Sequence, residues 1–369
     1  MEHPPIITPE ESILQELESQ RPNHAPTLLS RAERHLAVER GFLGLYRWYT
    51  ARSQETRNWH PDLTFDWRNY RQDHSDDIHQ IVEGFFAVEQ YVPDYVITLL
   101  RLIRRSHGRS HFHMRWGSEE EKHADMWHNA VQFGGRRSRE WLEDYMFALR
   151  GQEWKLPWDD PMHICFYTVF QERATQVNYL NLGLVAKGES PVEAYKNDED
   201  PVLAHAARVI AIDEAAHYNF FLEGARLFLY YFPDEAVNAM VDIIRHFSMP
   251  AGDIIPDYAQ LTEALHRTTI FGPRQHYRDV VKVALKNLGG DGLKAVEDGI
   301  RRSREVPMED GQMRTTAIFD SLDYDTIEAK VQQLIGRVNQ HEAKFGLDKI
   351  APTEFVPNPD IEAWRNQRG

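Results

Sequence analysis

A glutamate stands inside an otherwise apolar, helix-periodic stretch: Ile164-Cys165-Phe166-Tyr167-Thr168-Val169-Phe170-Gln171-Glu172-Arg173-Ala174-Thr175. A carboxylate taken out of water is costly unless it is paired or bound to metal. Any fold that buries this helix face must therefore bring compensating groups to Glu172. Cys165, Thr168 and Thr175 lie seven, four and three positions from Glu172 and share its face by spacing, so a small polar cluster is expected beside it.

The chain has a single cysteine, Cys165, which excludes an intrachain disulfide and a thiolate metal cluster. A metal here has to be held by carboxylates and imidazoles. Glu-x-x-His on a helix puts an oxygen and a nitrogen donor on one face, because residues three apart are neighbours. The pattern occurs as Glu120/His123, Glu214/His217 and Glu263/His266. Any one pair is weak evidence by itself. The order along the chain carries more: Glu89, then Glu120/His123, then Glu172, then Glu214/His217, each on a separate predicted helix. One Glu from each of two helices and a Glu-x-x-His from each of two others is the ligand set of four-helix di-iron carboxylate proteins. By analogy with that architecture Glu89 and His123 serve one iron, Glu172 and His217 the other, and Glu120 and Glu214 bridge. Glu263/His266 lies beyond Met249-Pro250 with no matching single Glu, and is assigned to a solvated helix face.

Helical periodicity dominates the rest. Helices are expected over Leu28–Thr50, Asp76–Ser106 with a kink or bulge caused by Pro93, a stretch capped by Ser118 and ended by Gly134-Gly135, Ser138–Leu149, Met162–Lys187, Pro201–Tyr231, Asp234–His246, Gln275–Leu288 and Tyr324–Phe345. Gly188 to Asp200 reads as a loop or short helix, and strand signals are almost absent. The fold class is all-α: a four-helix di-iron bundle with additional helices. Residues 1–26 form an N-terminal arm with at most a short helix over Glu10–Ser19, 27–290 the helical domain, and 291–369 a helical extension with a tail extended beyond Ala351. Aromatics between Trp59 and Tyr70, and Phe85, Phe86 and Tyr91 near Glu89, could line a channel, although aromatics at such spacing are more often plain core.

The net charge of -15 argues against a nucleic-acid partner, which requires a basic surface. Arg101, Arg104, Arg105 and Arg109 form one local basic patch. No apolar run approaches the ~20 residues of a membrane span, and the N-terminal residues lack signal or transit patterns. The expectation is a soluble, cytoplasmic chain.

The residues around the ligands resemble the acyl-acyl-carrier-protein (acyl-ACP) desaturases. Glu119-Glu120-Glu121-Lys122-His123 and Asp213-Glu214-Ala215-Ala216-His217 resemble that family's two histidine motifs, and Phe170 to Thr175 its lone-Glu segment. Glu89 with Pro93 and Tyr95 matches the segment supplying the first ligand, and Phe247-Ser248-Met249-Pro250 a later landmark. The likeness covers roughly residues 30 to 290. It implies a ferritin-like bundle, two iron ions, a homodimer, electrons from ferredoxin, and removal of two vicinal hydrogens from a saturated acyl chain on acyl carrier protein to leave a cis double bond. Carried over by position, Thr175 is the hydroxyl beside the O2 site, and Trp59 and Asp213 form a hydrogen-bond path from His123 toward the surface. Gln90 stands where the family commonly has an acid, and the chain after about residue 290 has no clear counterpart.

Two other readings keep the metal: a di-iron hydroxylase or oxidase of another acyl or specialised metabolite, and a ferritin-like iron-binding protein, which the long loops oppose. A ribonucleotide-reductase-like radical subunit needs a tyrosine near the irons. By spacing, Thr168 is the nearest residue on the face of Glu172 and Tyr167 points elsewhere.

Overall fold

Local signals in the sequence account for where each helix begins. Ser30 caps α1 (Arg31–Thr56) through a reciprocal capping box: Glu33 N–H donates to Ser30 Oγ, and Ser30 N–H donates to Glu33 at 2.7 Å. Asp160 and Asp200 cap α6 (Pro161–Val185) and α7 (Pro201–Tyr231), each followed by a proline at the first helical position, where a missing N–H costs nothing. Between them lie α2 (Asp76–Glu89), α3 (Val92–Ile103), α4 (His107–Phe133) and α5 (Arg139–Leu149). After α7 come α8 (Pro233–His246) and α9 (Tyr258–Arg267). Then α10 (Pro273–Gln275) runs through a π-helical stretch (His276–Val281) into α11 (Lys282–Asn287), and α12 (Tyr324–Phe345) follows. This computed structural model describes residues 29–290, 306–307, 313–314 and 322–346. The arm helix over Glu10–Ser19 and the tail beyond Ala351 lie outside the described residues.

Three expectations need correction. Asp76–Ser106 is two helices, not one with a bulge: α2 stops at Glu89, and Pro93 sits at the second position of α3, where its missing donor is harmless. Ser118 caps nothing and is exposed mid-helix; α4 starts eleven residues earlier, where Ser106 Oγ accepts from Arg109 N–H. The glycines that resemble breaks there, Gly108 and Gly117, instead let α4 approach the backbone of Phe42 and the side chain of Val96. A two-residue antiparallel pair, Val306–Pro307 with Met313–Arg314, also escaped the sequence reading.

The core is a bundle of α2, α4, α6 and α7, with α6 and α7 in the most extensive contact. Helix α1 lies against α4 and α7, α9 against α2, α8 against α6 and α7, and α12 against α7 and α1. Two apolar clusters fill it. One holds Phe42, Phe112, Phe166 and Phe220. The other holds Phe86, Trp127, Leu182 and Ala206, together with Phe85, Tyr91 and the loop aromatics Phe65, Trp67 and Tyr70. Along α4 and α7 the charged residues Glu120, His123, Asp213, Glu214 and His217 fall between the two clusters, so the bundle carries a polar layer at mid-height. Among the described residues no helix is long and apolar enough to cross a membrane.

His113, one turn before Trp116 on α4, is buried beside Phe112 and Phe221. Its Nδ1 faces the Arg109 carbonyl at 2.8 Å and its Nε2 has no partner. Burial pushes its pKa down to about 4 from 6.5. The folded pKa is the lower one, so the associated stability is complete above pH 6.5 and is lost as pH falls toward 4. A shift of that size corresponds to about 3 kcal/mol. Urea unfolding of wild type and His113→Gln across this window should show the steeper acid dependence in the wild type.

Candidate metal centre

Six side chains meet in the polar layer, each positioned by its own helix. Glu89 comes from the last residue of α2, Glu120 and His123 from α4, Glu172 from α6, and Glu214 and His217 from α7. All six are buried. Donor atoms of Glu89, Glu120, His123 and Glu214 lie within 4.8 Å of one another, and so do those of Glu120, Glu172, Glu214 and His217. Glu120 and Glu214 belong to both groups. The two groups thus comprise two separate Glu/His pairs and two shared carboxylates.

The two imidazoles show whether these groups suit a cation. His217 Nδ1 lies 2.9 Å from Glu120, 3.4 Å from Glu172 and 3.8 Å from Glu214. His123 Nδ1 lies 3.3 Å from Glu120 and 3.4 Å from Glu214. Both Nδ1 atoms are buried, yet neither forms a hydrogen bond. Nitrogen and oxygens converge on a common point, as ligands do, rather than aligning as donor and acceptor. Each ring has its other nitrogen on a carboxylate: His123 Nε2 on Asp213 at 3.3 Å, His217 Nε2 on Glu119 at 3.0 Å. A carboxylate there fixes the proton on Nε2 and leaves the Nδ1 lone pair free.

The charge balance points the same way. Burial, followed by the charge of Glu120, pushes the Glu89 carboxyl up to about 8. Burial and then Glu214 push Glu172 well above the usual carboxylate range. Burial also raises Glu214, but the adjacent imidazoles of His123 and His217 outweigh it and hold that carboxyl low. For both histidines burial opposes charging, and the surrounding carboxylates overcome it and raise the pKa. In the form that would bind metal, four ionised carboxylates and two neutral imidazoles would carry four negative charges, which two divalent cations would cancel. Oxygen-rich donor sets with two imidazoles suit iron.

Other residues complete the site. The Trp59 indole N–H donates to Asp213 at 2.7 Å, and its ring lies parallel to His123 with centroids 6.1 Å apart. Thr175 Oγ1 is 3.1 Å from Glu214 Oε2 and within reach of the Gln171 and Glu172 carbonyls. Cys165 faces α7, as its spacing implies, but two turns along α6 from Glu172: its thiol turns toward the Phe221 carbonyl of α7 and not toward the carboxylates. Glu263 and His266 are exposed, and Glu263 pairs with Arg267.

Several participants escaped the sequence reading. Glu119 accepts from Tyr49 at 2.5 Å and from Ser53, with Arg115 at 3.2 Å. Burial raises its pKa, but the bond to His217 and these hydroxyls outweigh burial and hold it well below the usual range. Trp116 donates to Glu172 at 3.1 Å and Tyr179 to Glu89 at 2.7 Å. The Arg57 guanidinium lies between Asp213, at 3.4 Å, and Glu119, at 3.7 Å. One signal was available: an acid, Glu119 or Asp213, precedes each of the two buried Glu-x-x-His pairs but not Glu263/His266, and it serves the histidine of the other helix.

Beside the carboxylates lies a mostly apolar cavity. Its polar end is formed by Glu89, Glu120, Glu172, Glu214 and Thr175, and its walls by Tyr95, Leu99, Trp116, Trp154, Leu156 and Met249. Tyr167 lines it too, against the expectation from spacing.

Glu119→Gln keeps every donor atom of the six but removes the charge behind His217. It should weaken binding of one metal about 10–100-fold, with the other little changed. Metal titration of the apoprotein followed by elemental analysis checks this, with His217→Ala as the reference for loss of that ion.

Residues 54–335 match the family model described as fatty acid desaturase. The stearoyl-[acyl-carrier-protein] 9-desaturase 6 of Arabidopsis thaliana chloroplasts is 29% identical over 185 residues, covering 48% of this chain and 45% of that protein. The chloroplastic stearoyl-[acyl-carrier-protein] 9-desaturase of Linum usitatissimum is 25% identical over 245 residues, covering 60% and 58%. The match thus spans about half the length of these curated relatives. A solved structure, DesA2 of Mycobacterium tuberculosis H37Rv, is 18% identical over 69% of this chain and 95% of that one, with a TM-score of 0.47. The family match covers most of the chain, around a buried centre able to hold two metal ions, and the chain belongs to the fatty acid desaturase family.

Proposed function

We propose that this chain is an O2-dependent oxidoreductase that introduces a cis double bond into a saturated fatty acyl chain carried on acyl carrier protein. The observation that carries the reading is the meeting of the paired carboxylate–histidine groups with an apolar cavity. Glu89, Glu120, His123, Glu172, Glu214 and His217 are the proposed ligands. Two iron ions held by them would supply reductive activation of O2 and oxidation of unactivated C–H bonds.

The remaining residues bind, orient and move protons. Leu99, Leu156, Met249 and the rings of Trp116 and Trp154 give an alkyl chain an apolar bed and exclude water from the reacting carbons. Thr175 lines the cavity and reaches a shared carboxylate, so its hydroxyl can pass a proton between Glu214 and the cavity. Trp59, Asp213 and His123 form a continuous contact from a half-buried indole to a ligand, the proposed entry for electrons from a ferredoxin-type donor.

An acidic carrier protein requires a local basic surface on this acidic chain. Arg101, Arg104 and Arg105 are exposed at the end of α3 and beyond it, with no ion-pair partner among the described residues; Tyr95 and Leu99 of the same helix line the cavity. Arg109 leaves this patch, because it is engaged by Glu39 and packs over Phe42.

Single turnover of reduced, iron-loaded protein with O2 and mixed saturated acyl-ACPs should release acids lacking two hydrogens, read by mass spectrometry. Gain of one oxygen atom instead would assign hydroxylation, and unaltered acids would refute the acyl substrate. Reversing Arg104 and Arg105 to Glu should weaken acyl-ACP binding about tenfold while leaving metal content intact.

A further inference from the structure

Glu172, Thr175 and Tyr179 occupy positions three, four and seven apart on α6 and so share one face. Tyr179 is 2% exposed. Its hydroxyl donates to Glu89 Oε1 at 2.7 Å. The other phenols near the layer are placed differently. Tyr49 donates to Glu119, Tyr167 bonds to Gln171, and Tyr95 lines the cavity with no hydrogen bond among the described residues. Among the described residues, Tyr179 is thus the phenol with a direct hydrogen bond to a proposed ligand. A second oxidisable ring backs it. Trp127, fully buried and four residues after His123 on α4, lies with its ring centroid 5.6 Å from that of Tyr179. The Trp127 indole N–H has no partner, and Phe85 packs against both rings at 5.3 and 5.2 Å.

These observations resist a purely structural reading. A carboxylate needing only orientation would be served by any donor, whereas this one is a phenol in contact with a buried indole whose own polar atom is unsatisfied. A phenol that loses an electron becomes a strong acid and needs a base within hydrogen-bond reach. Glu89 is that base, and it belongs to the group that would hold the metal.

We propose that Tyr179 is a redox-active residue that gives up one electron when O2 is reduced with the substrate cavity empty. This rests on the O2-activating reading above. The phenol loses one electron toward the metal pair and its O–H proton to Glu89 Oε1, leaving a neutral phenoxyl radical on Tyr179. Dioxygen needs four electrons and four protons to become two waters. An external reductant supplies two electrons through the reduced metal pair, and the bound substrate ordinarily supplies the other two from its two C–H bonds. Without substrate, Tyr179 supplies one of that second pair, and Trp127 or further reductant supplies the last. The hydrogen atom lost is thereby drawn from a defined residue rather than from the cavity walls, where Tyr95 and Trp116 are nearest.

The test is rapid freeze-quench EPR of reduced, iron-loaded protein mixed with O2 in the absence of any acyl substrate, with O2 uptake followed in parallel. Wild type should give an organic radical whose hyperfine pattern collapses with ring-deuterated tyrosine. Tyr95→Phe should retain that signal. Tyr179→Phe, checked for two bound irons and native circular dichroism, should lose it and accumulate oxygen adducts on Trp116 or Tyr95 in peptide mass spectra. O2 uptake with no tyrosine radical, or the same radical in Tyr179→Phe, overturns the role of Tyr179 and leaves the proposed function standing. If Tyr179→Phe cannot be loaded with iron, ring-selective labelling with 3-fluorotyrosine at position 179 in otherwise native protein must shift the signal, and an unshifted one overturns the proposal. Absence of O2 uptake by wild type holding two irons overturns both readings.

Discussion

Mutual repulsion among four buried carboxylates is the constraint on which the rest of the bundle depends. Glu89, Glu120, Glu172 and Glu214 come from four different helices. They are held close enough that burial and neighbouring charge drive two of them toward protonation. Such a cluster destabilises a fold unless cations or donors answer it. The structure answers with two imidazoles, an indole N–H, a phenol and a threonine hydroxyl. The apolar clusters above and below this layer compensate the cost of holding it. Helices α4, α6 and α7 are long because they reach from one cluster through the layer to the other, whereas α2 ends within it at Glu89.

That arrangement explains which parts were legible in the sequence. The ligand helices showed themselves because Glu120 with His123, and Glu214 with His217, obey the helical repeat, and because Glu172 breaks an apolar run. Tyr324–Phe345 and Pro201–Tyr231 were readable from apolar periodicity bounded by clear caps. The start of α4 was not, since Gly108 and Gly117 suggest interruption and only tertiary packing reveals that they admit neighbouring chain. Spacing also failed for Tyr167. Position on a helix fixes the direction of a Cα–Cβ bond, but rotamers and neighbours decide where a long phenol ends.

Tyr179 shows the same limit more sharply. Seven residues separate it from Glu172, so the shared face could be read; its partner could not, because Glu89 lies ninety residues earlier in the chain. The end of α2 at Glu89, imposed by the Pro93 turn, brings that carboxylate opposite α6. Backbone chemistry at one proline thus determines what a distant phenol can touch.

The crossed acids have a consequence for how such a centre could be transplanted. Glu119 on α4 serves His217 on α7, while Asp213 on α7 serves His123 on α4, and Arg57 from the end of α1 ties the two acids together. Neither Glu-x-x-His helix carries a self-sufficient half-site. A designer grafting this chemistry into another scaffold would have to move α4 and α7 as one rigid pair, in register, with the arginine between them.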